Sequence, residues 1–193
     1  MKKLYSLLFL VVNFLSFGQT IYSENMGTPS GNTAVATYST GTAPATFQNG
    51  SPIVYTGTTG ANMMRTSTAS TGYTGASGSG NVFFAAAGSQ FFQIAGLNTS
   101  TYTSSNLQLS FGYLTTTATA QMVVEVSTDG STWTPLTFTN NSNTSWNLVT
   151  ISGGQIPASA TLQLRFTAPV TSGGMRVDDV KIANVDSSCT LSL

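Results

Sequence analysis

The sequence predicts an all-β chain folded as a two-sheet antiparallel jelly-roll sandwich. Three observations point there. Apolar residues recur with period two: Leu107, Leu109, Phe111 and Tyr113 share one strand face, as do Met122, Val124 and Val126, and later Leu162, Leu164 and Phe166. Their intervening neighbours Gln108, Ser110, Gln163, Arg165 and Thr167 are polar, which suits strands with one dry and one wet face. No window of eleven or more residues carries the i, i+3, i+4 recurrence of a helix. Composition agrees: serine and threonine make up about three residues in ten and only 6% are charged, a Thr-rich profile with enough apolar volume for a core.

The first eighteen of the 193 residues read as a secretory signal peptide. Lys2 and Lys3 supply the positive start. An apolar run over 4–17 follows, broken only by Tyr5, Ser6, Asn13 and Ser16, and small residues precede a cut after Gly18. A membrane anchor needs about 18 or more consecutive apolar residues, and this run is shorter. The exported chain keeps four basic and six acidic residues, net −2, so no basic surface is left for nucleic acid and no segment for a membrane.

Within 19–185, expected to be one β-sandwich module, strands are predicted at 21–25, 53–56, 81–85 and 90–94 before the three alternating ones. The segment 66–80 contains only Thr, Ser, Ala and Gly around Tyr73, which alone can anchor it, and reads as a surface loop. Asp129-Gly130 marks a hairpin into a run over 133–138, and 146–151 follows the polar 140–143 loop. The count of nine or ten short strands fits a jelly roll. Residues 186–193 read as the start of a linker or a further domain. Cys189, the single cysteine, has no intrachain partner, and a lone thiol in an exported chain flags a partner elsewhere.

The final strand carries four of the twelve charges: Arg176, Asp178, Asp179 and Lys181. Met175 and Val177 share one alternation phase and Val180 and Ile182 the other, so burying both pairs requires a β-bulge at Asp178-Asp179. If the first and last strands are neighbours, Glu24 approaches the two aspartates. Glu24, Asp178 and Asp179 with backbone carbonyls then form an oxygen donor set of the kind that binds calcium. The competing reading is that one aspartate caps backbone amides or pairs with Arg176 while the other is solvated.

The absence of histidine excludes a Ser-His-Asp or Cys-His nucleophile within the chain and any histidine-bearing metal centre. Acidic pairs for glycoside hydrolysis are scarce, with Glu125 and Asp129 the only ones away from the terminal strands. Glu125 and Arg165 are expected to form a cross-strand surface pair. Gly153-Gly154 and Gly173-Gly174 are turn glycines, since no helical pattern follows them. No catalytic residue is expected. Trp133 and Trp146 are expected at the sandwich rim, leaving Tyr38, Tyr55, Tyr73 and Tyr102, in or beside loops, as candidates for a ligand-facing patch.

Three stretches together resemble a known group: Tyr22-Ser23-Glu24-Asn25-Met26-Gly27, the hairpin from Val124 to Trp133, and the ending Leu164-Arg165-Phe166 through Met175 to Ile182. They are similar to the jelly-roll modules of secreted, multi-domain Bacteroidota proteins, akin to choice-of-anchor, MAM-like adhesion and carbohydrate-binding-like modules. The resemblance implies that the opening acid and the paired aspartates hold a cation, here Glu24, Asp178 and Asp179. It also implies further domains on the same polypeptide, among them a catalytic domain and a type IX secretion signal. The chain lacks the MAM disulfide cysteines and any evident row of exposed aromatics. The expected function is therefore a non-catalytic, secreted module that binds a glycan or another extracellular surface polymer. The alternative is a structural spacer with no small ligand.

Overall fold

Alternating apolar residues are buried together only when their strands pair side by side, and in the computed structural model they do so in two antiparallel sheets. The structure describes residues 18–85, 89–116, 121–139, 144–169 and 174–185. One sheet contains β1 (Gln19–Glu24), β3 (Met64–Arg65), β4 (Asn81–Phe84), β6 (Leu107–Thr115), β9 (Asn147–Ile151) and β11 (Met175–Asn184). The other contains β2 (Val54–Gly57), β5 (Gln90–Leu97), β7 (Val123–Ser127), β8 (Thr134–Pro135) and β10 (Leu162–Ala168), in the order β2-β5-β10-β7-β8. The expected jelly-roll sandwich is present.

β11 organises its sheet. Along one edge it pairs with β6 over nearly its whole length; on the other, β4 takes Met175 to Val177 and β1 takes Val180 to Asn184. The sequence-predicted bulge is there: the β6–β11 register shifts between Asp178 and Lys181, and Asp179 adopts φ 49°. Met175, Val177, Val180 and Ile182 consequently all face the core. The first and last strands are neighbours, with Glu24 opposite Val180.

The core is aromatic along its length. Phe47 stacks on Tyr55 at 3.8 Å between ring centroids and meets the Tyr38 edge at 5.0 Å. Phe92 continues the row to Phe166, which meets Phe111 edge-on across the sheet interface at 5.1 Å. Each such buried ring contributes about 1.5–3 kcal/mol relative to exposure.

The structure departs from expectation where pattern length runs out. The run over 133–138 yields only β8, because Pro135 has no N–H to give a partner strand. Pairing continues as one bond, Leu136 N to Val124 O at 2.8 Å. The one-turn helix α1 (Val35–Tyr38), a 3-10 turn at Ser104–Asn106 and the two-residue β3 are each too short to show periodicity. The expected signal peptide apart from Gly18, the 140–143 loop and the 186–193 segment with Cys189 lie outside the described residues. Among the described residues no helix is long and apolar enough to cross a membrane.

Candidate functional site

The two acidic positions of the seam lie on opposite sides of one sheet. Strand alternation sends Glu24, paired with Val180, to the core side, where it is fully buried. Its carboxylate accepts from Met26 N at 3.0 Å, Gln48 N at 2.9 Å, Asn49 N at 3.3 Å, Asn49 Nδ2 at 3.0 Å and the Tyr55 hydroxyl at 2.7 Å. Burial and the nearby Glu24 charge push the Tyr55 hydroxyl well above the usual tyrosine range. Glu24 is thus a fixed acceptor that pins the 46–49 segment to β1, and its lone pairs are occupied by N–H and O–H donors.

Asp178 and Asp179 face the other way, beneath the 66–80 loop. Asp179 Oδ2 accepts from the Tyr73 hydroxyl at 2.5 Å, Ser77 N at 3.1 Å and Ser70 Oγ at 3.2 Å. Asp178 Oδ1 accepts from Asp179 N at 2.8 Å, and Ser77 Oγ lies 3.3 Å from Oδ2. Burial and the adjacent Asp179 charge push the Asp178 carboxyl up to about 8. The hydroxyl end of Tyr73 presses against β6 at Gly112: a Cβ built there would sit 2.0 Å from the Tyr73 hydroxyl and 2.7 Å from Cζ. The expected anchoring of the loop by Tyr73 is realised, and the aspartate pair is its clasp.

These placements correct the three-carboxylate calcium set. Glu24 is separated from Asp178 and Asp179 by the sheet itself, because the bulge leaves Val180, not an aspartate, on its side of β11. Among the described residues no group of three or more His, Cys, Asp or Glu could hold a metal ion. The ligand-facing tyrosines are corrected too. Tyr38 and Tyr55 are 3% and 6% exposed and belong to the core stack, with the Tyr38 hydroxyl donating to Met26 O at 2.8 Å. Tyr73 serves the clasp, and Tyr102 packs half-buried against the core. Trp146 is buried, its indole N–H donating to Thr68 O at 3.2 Å.

What remains open is the outward face of the five-stranded sheet. Arg165, at its centre, stands opposite Gln93 on β5 and Glu125 on β7. Its Nε and Nη2 donate to Glu125 Oε2 at 3.0 and 2.9 Å, the pair expected from the sequence. Its guanidinium stacks 3.8 Å from the centre of the Trp133 ring. Beside them Gln93 Nε2 donates to Gln163 Oε1 at 2.9 Å. Sequence reasoning gave the Arg165–Glu125 pair but missed that Trp133 and the two glutamines join it, although the position of Trp133 two residues before Pro135 and the phase of Gln163 place them on one face.

At the end of this face the Asp129-Gly130 turn borders a cavity of about 610 Å³ between the hairpin and the 154–158 loop. Asp129 Oδ1 accepts from Thr132 N at 2.7 Å, Ser131 N at 2.8 Å and Ser127 Oγ at 3.0 Å, holding its carboxyl well below the usual range. Hydroxyls of Thr128, Thr132 and Thr134 and the Gln155 amide share the lining, and no aromatic does. Glu125, held by Arg165, and Asp129, held by its own turn, have separate roles.

No family description matches the chain, and no curated protein matches it. Among solved structures it is similar to TmCBM61 in complex with β-1,4-galactotriose, at 13% identity over 68% of this chain and 88% of that one, TM-score 0.40. The CBM22-1 xylan-binding domain of Paenibacillus barcinonensis Xyn10C is 13% identical over 88% and 97%, TM-score 0.41. A family 11 carbohydrate-binding module from Clostridium thermocellum, in complex with a β-1,3-1,4-mixed-linked tetrasaccharide, is 14% identical over 70% and 86%, TM-score 0.38. The likeness is one of sandwich layout, and those saccharides belong to those proteins.

Proposed function

We propose that the chain is a non-catalytic, secreted module that binds a glycan across the outward face of its five-stranded sheet, as an accessory to a larger polypeptide. One observation carries the reading: two fixed groups, Gln93 with Gln163 and Arg165 with Glu125 and Trp133, stand side by side on one outward face. Amides, a guanidinium and a carboxylate held in place can exchange hydrogen bonds with sugar hydroxyls at little ordering cost, and an indole edge adds an apolar strip. The resemblance in the terminal strands and hairpin supports the same class. Glu24 has its oxygens occupied by protein donors and stands across the sheet from Asp178 and Asp179, which supports a fold held without a cation. On this reading folding is independent of calcium, and a chelator leaves the melting temperature unchanged; a drop of several degrees would restore the metal. A glycan array followed by calorimetry on the best binder tests the function. Arg165→Ala and Trp133→Ala each weaken binding about tenfold or more, about 1.4 kcal/mol.

A spacer without a ligand is the second reading, favoured by the cover of Arg165 over Trp133 and by the lack of aromatics in the cavity beside the Asp129-Gly130 turn. Absence of any glycan above background, with and without calcium, selects it.

A further inference from the structure

The six-stranded sheet gathers two cations at a place where no acid among the described residues pairs with them. Arg65 on β3 and Arg176 on β11 stand on strands either side of β4, and both guanidiniums lie over the outward Phe83 ring, at 5.0 and 4.7 Å from its centre. Arg176 is tied down by neutral groups, donating from Nη1 to Asn81 Oδ1 at 2.7 Å and Ser67 O at 2.9 Å. Arg65 is not tied down: its Nε is buried and has no hydrogen-bond partner among the described residues. A buried N–H left unpaired is costly, and two guanidiniums on one ring repel.

No acid among the described residues relieves this. Glu24 faces the core, Asp178 and Asp179 serve the clasp, Asp129 caps its turn and Glu125 makes the one salt bridge among the described residues, with Arg165. The structural reading, in which both side chains merely cover Phe83, accounts for the stacking. It leaves the buried Nε and the pairing of two of the four cations of 19–193 without a reason.

We propose that Arg65 and Arg176, on the Phe83 platform, form a binding site for a carboxylate or sulfate group of an acidic glycan. A planar carboxylate or a sulfate oxygen pair matches the N–H fork of a guanidinium, and a second guanidinium beside it neutralises the charge while Phe83 holds both planes fixed. The acidic glycan as source rests on the glycan reading above, but the site lies on the other sheet. The two can therefore fail separately.

The test follows arginine Nε–Hε signals of the secreted chain by NMR at constant ionic strength during titration with sodium sulfate, sodium glucuronate and sodium chloride. Sulfated and uronate-bearing oligosaccharides follow. The expected result is a saturable shift at Arg65 and Arg176 with sulfate or glucuronate and not chloride, lost in Arg65→Met, which keeps an apolar stem over Phe83. The ratio of sulfate to glucuronate affinity tells an ester from a uronic acid, and tighter binding of either oligosaccharide than of its free anion supports a glycan source. Arg65→Lys, which keeps the charge but not the fork, is expected to weaken binding at least fivefold and serves if the methionine variant is poorly folded. Shifts that are linear and equal for all three salts, or binding unchanged in both variants, would overturn the proposal. If the anion site binds while Trp133→Ala leaves neutral-glycan binding intact or none exists, the sheet-face reading fails and this one stands.

Discussion

The two sheets treat their outward faces in opposite ways. On the six-stranded sheet the 66–80 loop is drawn down over β11 and β6. Tyr73, Ser70 and Ser77 converge on Asp179, and Arg176, Asn81 and Trp146 hold the carbonyls of Ser67 and Thr68. On the five-stranded sheet no loop among the described residues is clasped in this way, and the polar side chains bond to each other instead. A buried acid on the first face organises backbone; a partly exposed ion pair on the second organises only its neighbours. Cover marks structure, and a self-supporting open array marks a surface available to a partner.

Perturbations should separate the two faces and the core behind them. The largest loss is expected for Glu24→Ala, which removes the acceptor of five donors, two of them in buried bonds; chemical denaturation should show roughly 3–5 kcal/mol. Gly112→Ala should follow at about 1–3 kcal/mol, because a methyl group cannot share space with Tyr73. Its signature is faster proteolysis within 66–80, with the five-stranded face unaltered.

Asp178 supplies a pH dependence. Its folded-state value, about 8, lies above the roughly 3.9 of a free aspartate, so the folded state holds the proton more tightly. Its contribution is fully present below about pH 4 and is lost as pH rises through 8. Melting temperature should fall across that window in the parent chain, and Asp178→Asn should flatten the fall. An equal slope in both proteins would place the titration elsewhere.

The smallest effect on stability belongs to the open face. Arg165→Ala should change folding by no more than about 1 kcal/mol, as for other partly exposed ion pairs. Its effect should appear in binding.

The sheets and the bulge were legible in the sequence because both follow from alternation: the phase change between Val177 and Val180 has one geometric solution, and the structure adopts it. The fate of Glu24 was half legible. Its strand neighbour was predictable, but the side it faces decides its role, and the donors from Gln48 and Asn49 come from a loop with no pattern. Tyr38 and Tyr55 looked like loop residues because the Phe47 ring that completes their stack belongs to the same unpatterned stretch. The role of Trp133 escaped because its partner Arg165 lies 32 residues away on a strand that is not its immediate neighbour.

The open-face account is tested most directly by NMR titration of the chain with the best-binding oligosaccharide. Saturable shifts at the Trp133 indole, the Gln93 and Gln163 amides and Arg165 Nε are expected, with the 66–80 loop unmoved. Binding that shifts Tyr73 and the clasp while leaving those four side chains unchanged would contradict it.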